Sequence, residues 1–171
     1  MKKLILLLLF VPLVSFGQDL FFLGDSGYPC TESVNLESEI YGQDLIIKFV
    51  VEDNYIRSDG EELRDTRYLI VIQTKRILKS KILGIKIYLD DGIVISKDKI
   101  NQFDYIDDNV IAMFRLDWDS VIYLHNSEID SIRYSIEGYF ADKTIHLAKN
   151  KGFDTTKLFH KDGIRINGRN L

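Results

Sequence analysis

"LGIKIYLDDGIVIS", residues 83–96, decides the fold. Two alternating apolar runs flank Asp90-Asp91-Gly92, so the stretch reads as a β-hairpin whose register follows from the side chains. With a three-residue loop, Leu89 stands opposite Ile93 and Ile87 opposite Ile95, and Ile85 extends the same apolar face. With a two-residue loop, Leu89 meets Val94 and Asp90 meets Ile93, which mixes polar and apolar residues on both faces. A slip of one residue turns every side chain to the opposite face. The three-residue loop, with Gly92 in the left-handed region, is therefore predicted.

The same period of two recurs along the chain. In "SVNLESEI" (33–40) Val34, Leu36 and Ile40 share a face, opposite Asn35, Glu37 and Glu39. In "LIIKFVVE" (45–52) Leu45, Ile47, Phe49 and Val51 share a face, opposite Lys48 and Glu52. The intervening "YGQD" suits a turn, so residues 33–52 read as a second hairpin. "RYLIVIQT" (67–74) is apolar on both faces, as a central strand covered on both sides requires. "NVIAMFRLDW" (109–118) puts Val110, Ala112, Phe114, Leu116 and Trp118 on one face. "DSIRYSIE" and "KTIHLAK" also read as strands.

Helical signals are few. "DSVIYLHN" (119–126) suits a short helix with Asp119 as N-cap and Val121, Ile122 and Leu124 turned inward. "DTTKLFHKDG" (154–163) suits another, capped by Asp154 or Thr155 and ended by Gly163. Short strands joined by turns, with little helix between them, predict a mainly β fold. The expected architecture is an antiparallel β-sandwich-like single domain with one or two short helices, spanning residues 18–171.

Residues 1–17, "MKKLILLLLFVPLVSFG", have the form of a cleaved secretory signal peptide. Lys2 and Lys3 precede an apolar run over residues 4–14, and Ser15 and Gly17 supply small residues before a cut at Gln18. As a helix that run rises about 16 Å, against a bilayer core of about 30 Å. Its end, "SFGQ", resembles export signals of the Bacteroidota. Loss of Lys2 and Lys3 takes the formal charge from −4 to −6, which argues against a nucleic-acid partner. The chain after residue 17 has no further apolar stretch of membrane-spanning length. Cys30 is the only cysteine, so no internal disulfide forms. It reads as a buried, inert thiol or an intermolecular bridging site.

"LFFLGDSGYP" (20–29) carries the sharpest catalytic signal. Gly24-Asp25-Ser26-Gly27 resembles the nucleophile segment of chymotrypsin-like proteases, but there the triad histidine precedes the serine and no histidine precedes Ser26. "LFFLGDS" also resembles the first block of the SGNH, or GDSL-type, hydrolases. That resemblance implies Ser26 as nucleophile on a fold of alternating strands and helices. The family's Gly-x-Asn-Asp block is absent, and its late Asp-x-x-His has no counterpart. Lys157, Lys143 and Ile122 stand three places before His160, His146 and His125. A serine with no base to take its proton is a weak nucleophile. A turn in which Asp25 and Ser26 bond local backbone explains the same residues.

Other constellations are weaker. Asp117, Asp119 and Glu128 fall at positions 1, 3 and 12 of a calcium-loop frame, but Val121 and Ile122 stand where an oxygen ligand and a glycine are required. His125, His146 and His160 lack metal-ligand spacing. The acidic pairs Glu61/Glu62, Asp90/Asp91 and Asp107/Asp108 read as solvated turns. Residues 67–86 hold Arg67, Lys75, Arg76, Lys79, Lys81 and Lys86 without an acid. They suit either a basic ridge for an anionic partner or lysines guarding the edge and tip of a hairpin. Tyr134 and Tyr139 are candidates for an exposed aromatic strip. Asp119-Ser120-Val121, Asp130-Ser131-Ile132 and Asp154-Thr155-Thr156 resemble the O-glycosylation acceptors of Bacteroidota.

No catalytic, cofactor-binding or metal site is assigned. The expectation is an exported bacterial domain of the periplasm, the outer-membrane surface or the extracellular space, without catalysis, that binds a protein or glycan partner. The alternatives are an SGNH-like serine hydrolase using Ser26 and a structural component of an envelope assembly.

Overall fold

The computed structural model describes residues 20–39, 44–58, 61–75, 80–138 and 142–161. Segment 1–17, turn residues 41–43, Ile40, Arg76, Lys79, Tyr139 and Gly163 lie outside the described residues. The strands are β1 (Leu20–Leu23), β2 (Ser26–Pro29), β3 (Val34–Ser38), β4 (Leu45–Ser58), β5 (Glu61–Lys75) and β6 (Lys81–Leu89). They continue as β7 (Val94–Lys97), β8 (Ile100–Ile106), β9 (Asn109–Leu116), β10 (Ile129–Glu137) and β11 (Lys143–Lys149). Helices α1 (Trp118–Asn126) and α2 (Lys157–Lys161) complete the fold.

The hairpin at residues 83–96 has the predicted register. Ile87 pairs with Ile95, the Leu89 amide donates to the Ile93 carbonyl at 2.9 Å, and Gly92 has φ +90°. The β3–β4 pair is likewise antiparallel, with Val34 opposite Ile47 and Leu36 opposite Leu45.

Nine strands form one antiparallel sheet in the order β7-β6-β10-β11-β3-β4-β5-β9-β8. The end strands β7 and β8 are consecutive in the chain, joined only by Asp98 and Lys99. The sheet therefore curls round until its edges approach. Lys97 on β7 pairs with Asp117 just past β9, and the Lys81 ammonium on β6 lies 4.9 Å from the centre of the Phe103 ring on β8. The mainly β single domain is thus a nearly closed, barrel-like sheet. β8 was not expected as a strand. Its exposure does not alternate cleanly, as befits an edge, and outward-facing Gln102 accepts a hydrogen bond from the Tyr28 hydroxyl at 3.1 Å.

Inward residues of β3 to β10 make the main core, with Leu36, Leu45, Ile47, Ile70, Ile72, Ile87 and Ile132 fully buried. Each such side chain contributes about 1.5–3 kcal/mol of transfer free energy. Val121 and Leu124 of α1 and Leu158 and Phe159 of α2 join it, with the Phe49 and Phe159 ring centres 4.6 Å apart. A second cluster lies outside the sheet, where Phe21, Leu23 and Tyr28 of the β1–β2 hairpin cover Val50, Leu69, Val71, Ile111 and Met113. This is why residues 67–74 are apolar on both faces.

Both helices fall where the pattern placed them, with shifted ends. α1 begins at Trp118, and its N-cap is Asp117, not Asp119, because the Asp117 carboxylate accepts from the Ser120 amide at 2.8 Å. The alternation of β9 therefore stops at Leu116, and Trp118 leaves the core face with half its surface exposed. Asp154 accepts from the Thr156 amide at 3.2 Å ahead of α2.

Candidate functional site

The β1–β2 hairpin covers the outer face of β4, β5 and β9, but the outer face of β7, β6, β10 and β11 carries Lys86, Arg133, Ser96 and Ser135 beside exposed Val94 and Ile145. Strand register sets two rows across it. Ser96, Lys86, Arg133 and Leu147 form one; Gly84, Ser135 and Ile145 form the next. Gly84 has no side chain, and a Cβ there would come within 3.1 Å of the Lys97 carbonyl. The gap it leaves is the floor of a 420 Å³ recess bordered by Lys86, Arg133, Ser96, Ser135 and Ile145.

Lys86 and Arg133 are direct cross-strand partners, which puts two cationic stems about 5 Å apart at Cβ. Neither makes an ion pair among the described residues. Like charges so placed destabilise a sheet. The Arg133 guanidinium lies 5.6 Å from the centre of the Tyr88 ring, a contact that holds it without neutralising it.

The recess adjoins a second concavity at the seam of the barrel, of about 760 Å³, and the two share Ser96, Lys97 and Asp98. The seam runs between the β7–β8 corner and the end of β9. Trp118, Arg115, Lys99 and Asn101 line it, all exposed. The Trp118 ring centre is 6.3 Å from that of Tyr68. Lys97 turns inward with Ile85 and reaches Asp117 across the seam. The bonds from Lys97 and Ser120 hold the Asp117 carboxyl well below the usual carboxylate range.

Ser26 sits elsewhere. Leu23 pairs with Ser26, so Gly24-Asp25 is a two-residue hairpin turn with Gly24 at φ +58°, the place a type II′ turn reserves for glycine. Among the described residues no histidine bonds Ser26. His146, on β11, has Nε2 2.8 Å from the Thr144 hydroxyl and its ring stacked on Tyr134. The His125 ring centre is 6.4 Å from that of Phe159. The side chain of His160 lies outside the described residues.

Several expectations are corrected. Tyr134 is fully buried, not part of an exposed strip. Among the described residues of the basic run, Arg67 and Lys75 on β5 do not form one ridge with Lys81 and Lys86 on β6, because the two strands are not neighbours in the sheet. Lys75, Lys81 and Lys86 do not stand on an edge strand, since β5 lies between β4 and β9 and β6 between β7 and β10, while Lys79 lies outside the described residues. Within that run, Arg67 pairs with Asp65 at 2.7 Å and with Glu52 at 3.5 Å. Asp90 and Asp91 are not simply solvated. Asp91 accepts from the Ser127 hydroxyl at 2.6 Å and Asp90 from the Glu128 amide at 3.1 Å, pinning the hairpin loop to the start of β10. Asp117 is spent on the helix cap, and the described residues contain no cluster of metal-ligating side chains.

The three hydroxyl residues of the glycosylation-like triplets, Ser120, Ser131 and Thr155, are all buried. Cys30 is buried in the outer cluster, with a backbone bridge to Val50. Arg133 was missed by sequence reasoning. Its outward position was legible, but nothing local ties it to Lys86.

No family model matches the chain, and no curated protein or solved structure shows similarity to it. No helix among the described residues is long and apolar enough to cross a membrane.

Proposed function

We propose that the chain is an exported, non-catalytic bacterial β-domain that binds a protein or glycan partner across the uncovered face of β7, β6, β10 and β11. The observation that carries this reading is the Lys86–Arg133 pair, two directly opposed cations with no carboxylate partner among the described residues. An arrangement that costs stability within the chain is offset when an anionic group of a partner sits between the two cations. Export is supported by the lysine pair, apolar run and small residues ahead of Gln18.

The test is retention of solubilised envelope material on immobilised protein beginning at Gln18. Retention that falls with salt and is lost in the Lys86→Gln/Arg133→Gln double variant supports the reading. Retention unchanged in the double variant puts binding on another surface and refutes it. N-terminal sequencing of the protein recovered from the native cell's envelope or medium is expected to begin at Gln18.

A further inference from the structure

Two concavities that meet at Ser96–Asp98 differ in chemistry, and the difference narrows the partner. The recess presents paired cations and hydroxyls, while the seam presents an indole face among polar side chains. We propose that they bind one acidic oligosaccharide, its anionic group between Lys86 and Arg133 and one of its sugar rings against Trp118. This inference rests on the reading that the uncovered face is the binding surface.

Trp118 supplies the first argument. It is a large apolar side chain at the first position of α1, half-exposed, with Tyr68 beside its ring. A sugar ring offers a patch of C–H groups that fits a flat aromatic face, with its hydroxyls directed outward to polar neighbours. Asn101, Arg115 and Ser96 are placed to meet such hydroxyls along the path between the indole and the cation pair.

Shape supplies the second. Concavities of 760 and 420 Å³ have the size of sites for small or narrow chains. A folded protein partner instead needs a broad surface of about 800 Å². Charge supplies the third. Asp98 borders both concavities without an ion pair among the described residues, and the chain as a whole is acidic. A polymer with a negative charge on every unit would be repelled by Asp98. A glycan that alternates neutral and anionic sugars satisfies Lys86 and Arg133 without crowding it.

The experiment is calorimetric titration of the protein beginning at Gln18 with a hyaluronan tetrasaccharide, whose neutral and anionic sugars alternate, sialyllactose and a sulfated disaccharide. Lactose is the uncharged comparison, and hexaglutamate is the acidic peptide. At least one acidic sugar is expected to bind about tenfold or more tightly than lactose and hexaglutamate, the ratio one charge-assisted contact provides. Lys86→Gln and Arg133→Gln are each expected to weaken it about tenfold, as is Trp118→Ala. Circular dichroism is expected to show native structure in all three variants, since each side chain is exposed. Chemical shifts of wild-type amides on β6, β10 and the start of α1 are expected to move together on binding.

Failure to bind any of the three acidic sugars overturns the inference. So does hexaglutamate binding as tightly as the sugars, which would make the face a site for acidic peptides. So does sugar binding indifferent to Trp118→Ala. In each of these cases salt-dependent envelope retention through Lys86 and Arg133 still upholds the broader reading. Retention indifferent to the double variant removes both.

Discussion

Replacing Asp117 by alanine is expected to cost about 1.5 kcal/mol, and replacing it by asparagine about 0.5 kcal/mol. The carboxylate has two tasks. It caps α1 through the Ser120 amide at 2.8 Å, and such a cap is worth about 1 kcal/mol against alanine. It also pairs with Lys97 across the barrel seam. The Lys97 side chain is 14% exposed but that of Asp117 is 63% exposed. Solvent therefore screens the pair, and about 0.5 kcal/mol is a fair value for it. Asparagine caps a helix about as well as aspartate, so Asp117→Asn isolates the ion pair.

The pH dependence has a definite sign. The bonds from Lys97 and Ser120 depress the folded-state pKa of Asp117. The stabilisation is thus fully present above the unfolded value, near 3.9, and is lost as pH falls from there toward the folded value. The stability gap between wild type and Asp117→Asn should be flat from neutral pH down to about pH 5 and close only in acid. Trp118 is the single tryptophan and adjoins the substituted residue, so its fluorescence during urea unfolding is the natural readout. With a slope of about 2 kcal/mol per molar urea, the Asp117→Ala midpoint should fall by about 0.7 M. The melting temperature should drop by roughly 3–6 °C. Asp119→Ala is the control, since Asp119 is exposed and contributes only to the helix dipole, worth about 0.3 kcal/mol. A larger loss from Asp119→Ala than from Asp117→Ala would refute the assigned cap. A loss below about 0.3 kcal/mol for Asp117→Ala would show that neither bond contributes.

Burial depresses the His146 pKa, and its Nδ1 is buried without a hydrogen-bond partner. The stabilisation from its neutral form is present above the unfolded value near 6.5 and is lost as pH falls through it. His146→Phe should therefore flatten the fall in urea midpoint between about pH 7.5 and 5.5 that wild type shows; an equal fall in both proteins would exclude His146 as the cause. Gly84→Ala pushes a methyl against the Lys97 carbonyl at 3.1 Å and should cost roughly 1 kcal/mol in urea unfolding. An unchanged midpoint would mean that β7 gives way there. Ser26 is exposed and has no histidine bonded to it among the described residues, so a fluorophosphonate probe should leave wild type and Ser26→Ala equally unlabelled. Labelling of wild type alone would establish an activated serine.

By itself the sequence determined local geometry wherever period two met a turn. The three-residue loop at Asp90–Gly92, the inward faces of β3, β4 and β9, and the doubly covered strand at residues 67–74 all followed from it. In a strand the side-chain period leaves two choices of face, and an apolar stripe selects one. Even the Gly-Asp turn was legible as a turn, though not that its two arms pair and cover the sheet from outside. Only the tertiary structure decided which distant strands are neighbours. β6 beside β10 and β11 beside β3 depend on long-range closure, to which alternation along one strand is blind. That closure buries Tyr134, sets Lys86 against Arg133, brings Lys97 to Asp117 and leaves Trp118 facing the seam. The candidate site was therefore out of reach of the sequence, because each of its residues is ordinary on its own strand and acquires its chemistry from a neighbour supplied by the closing of the sheet.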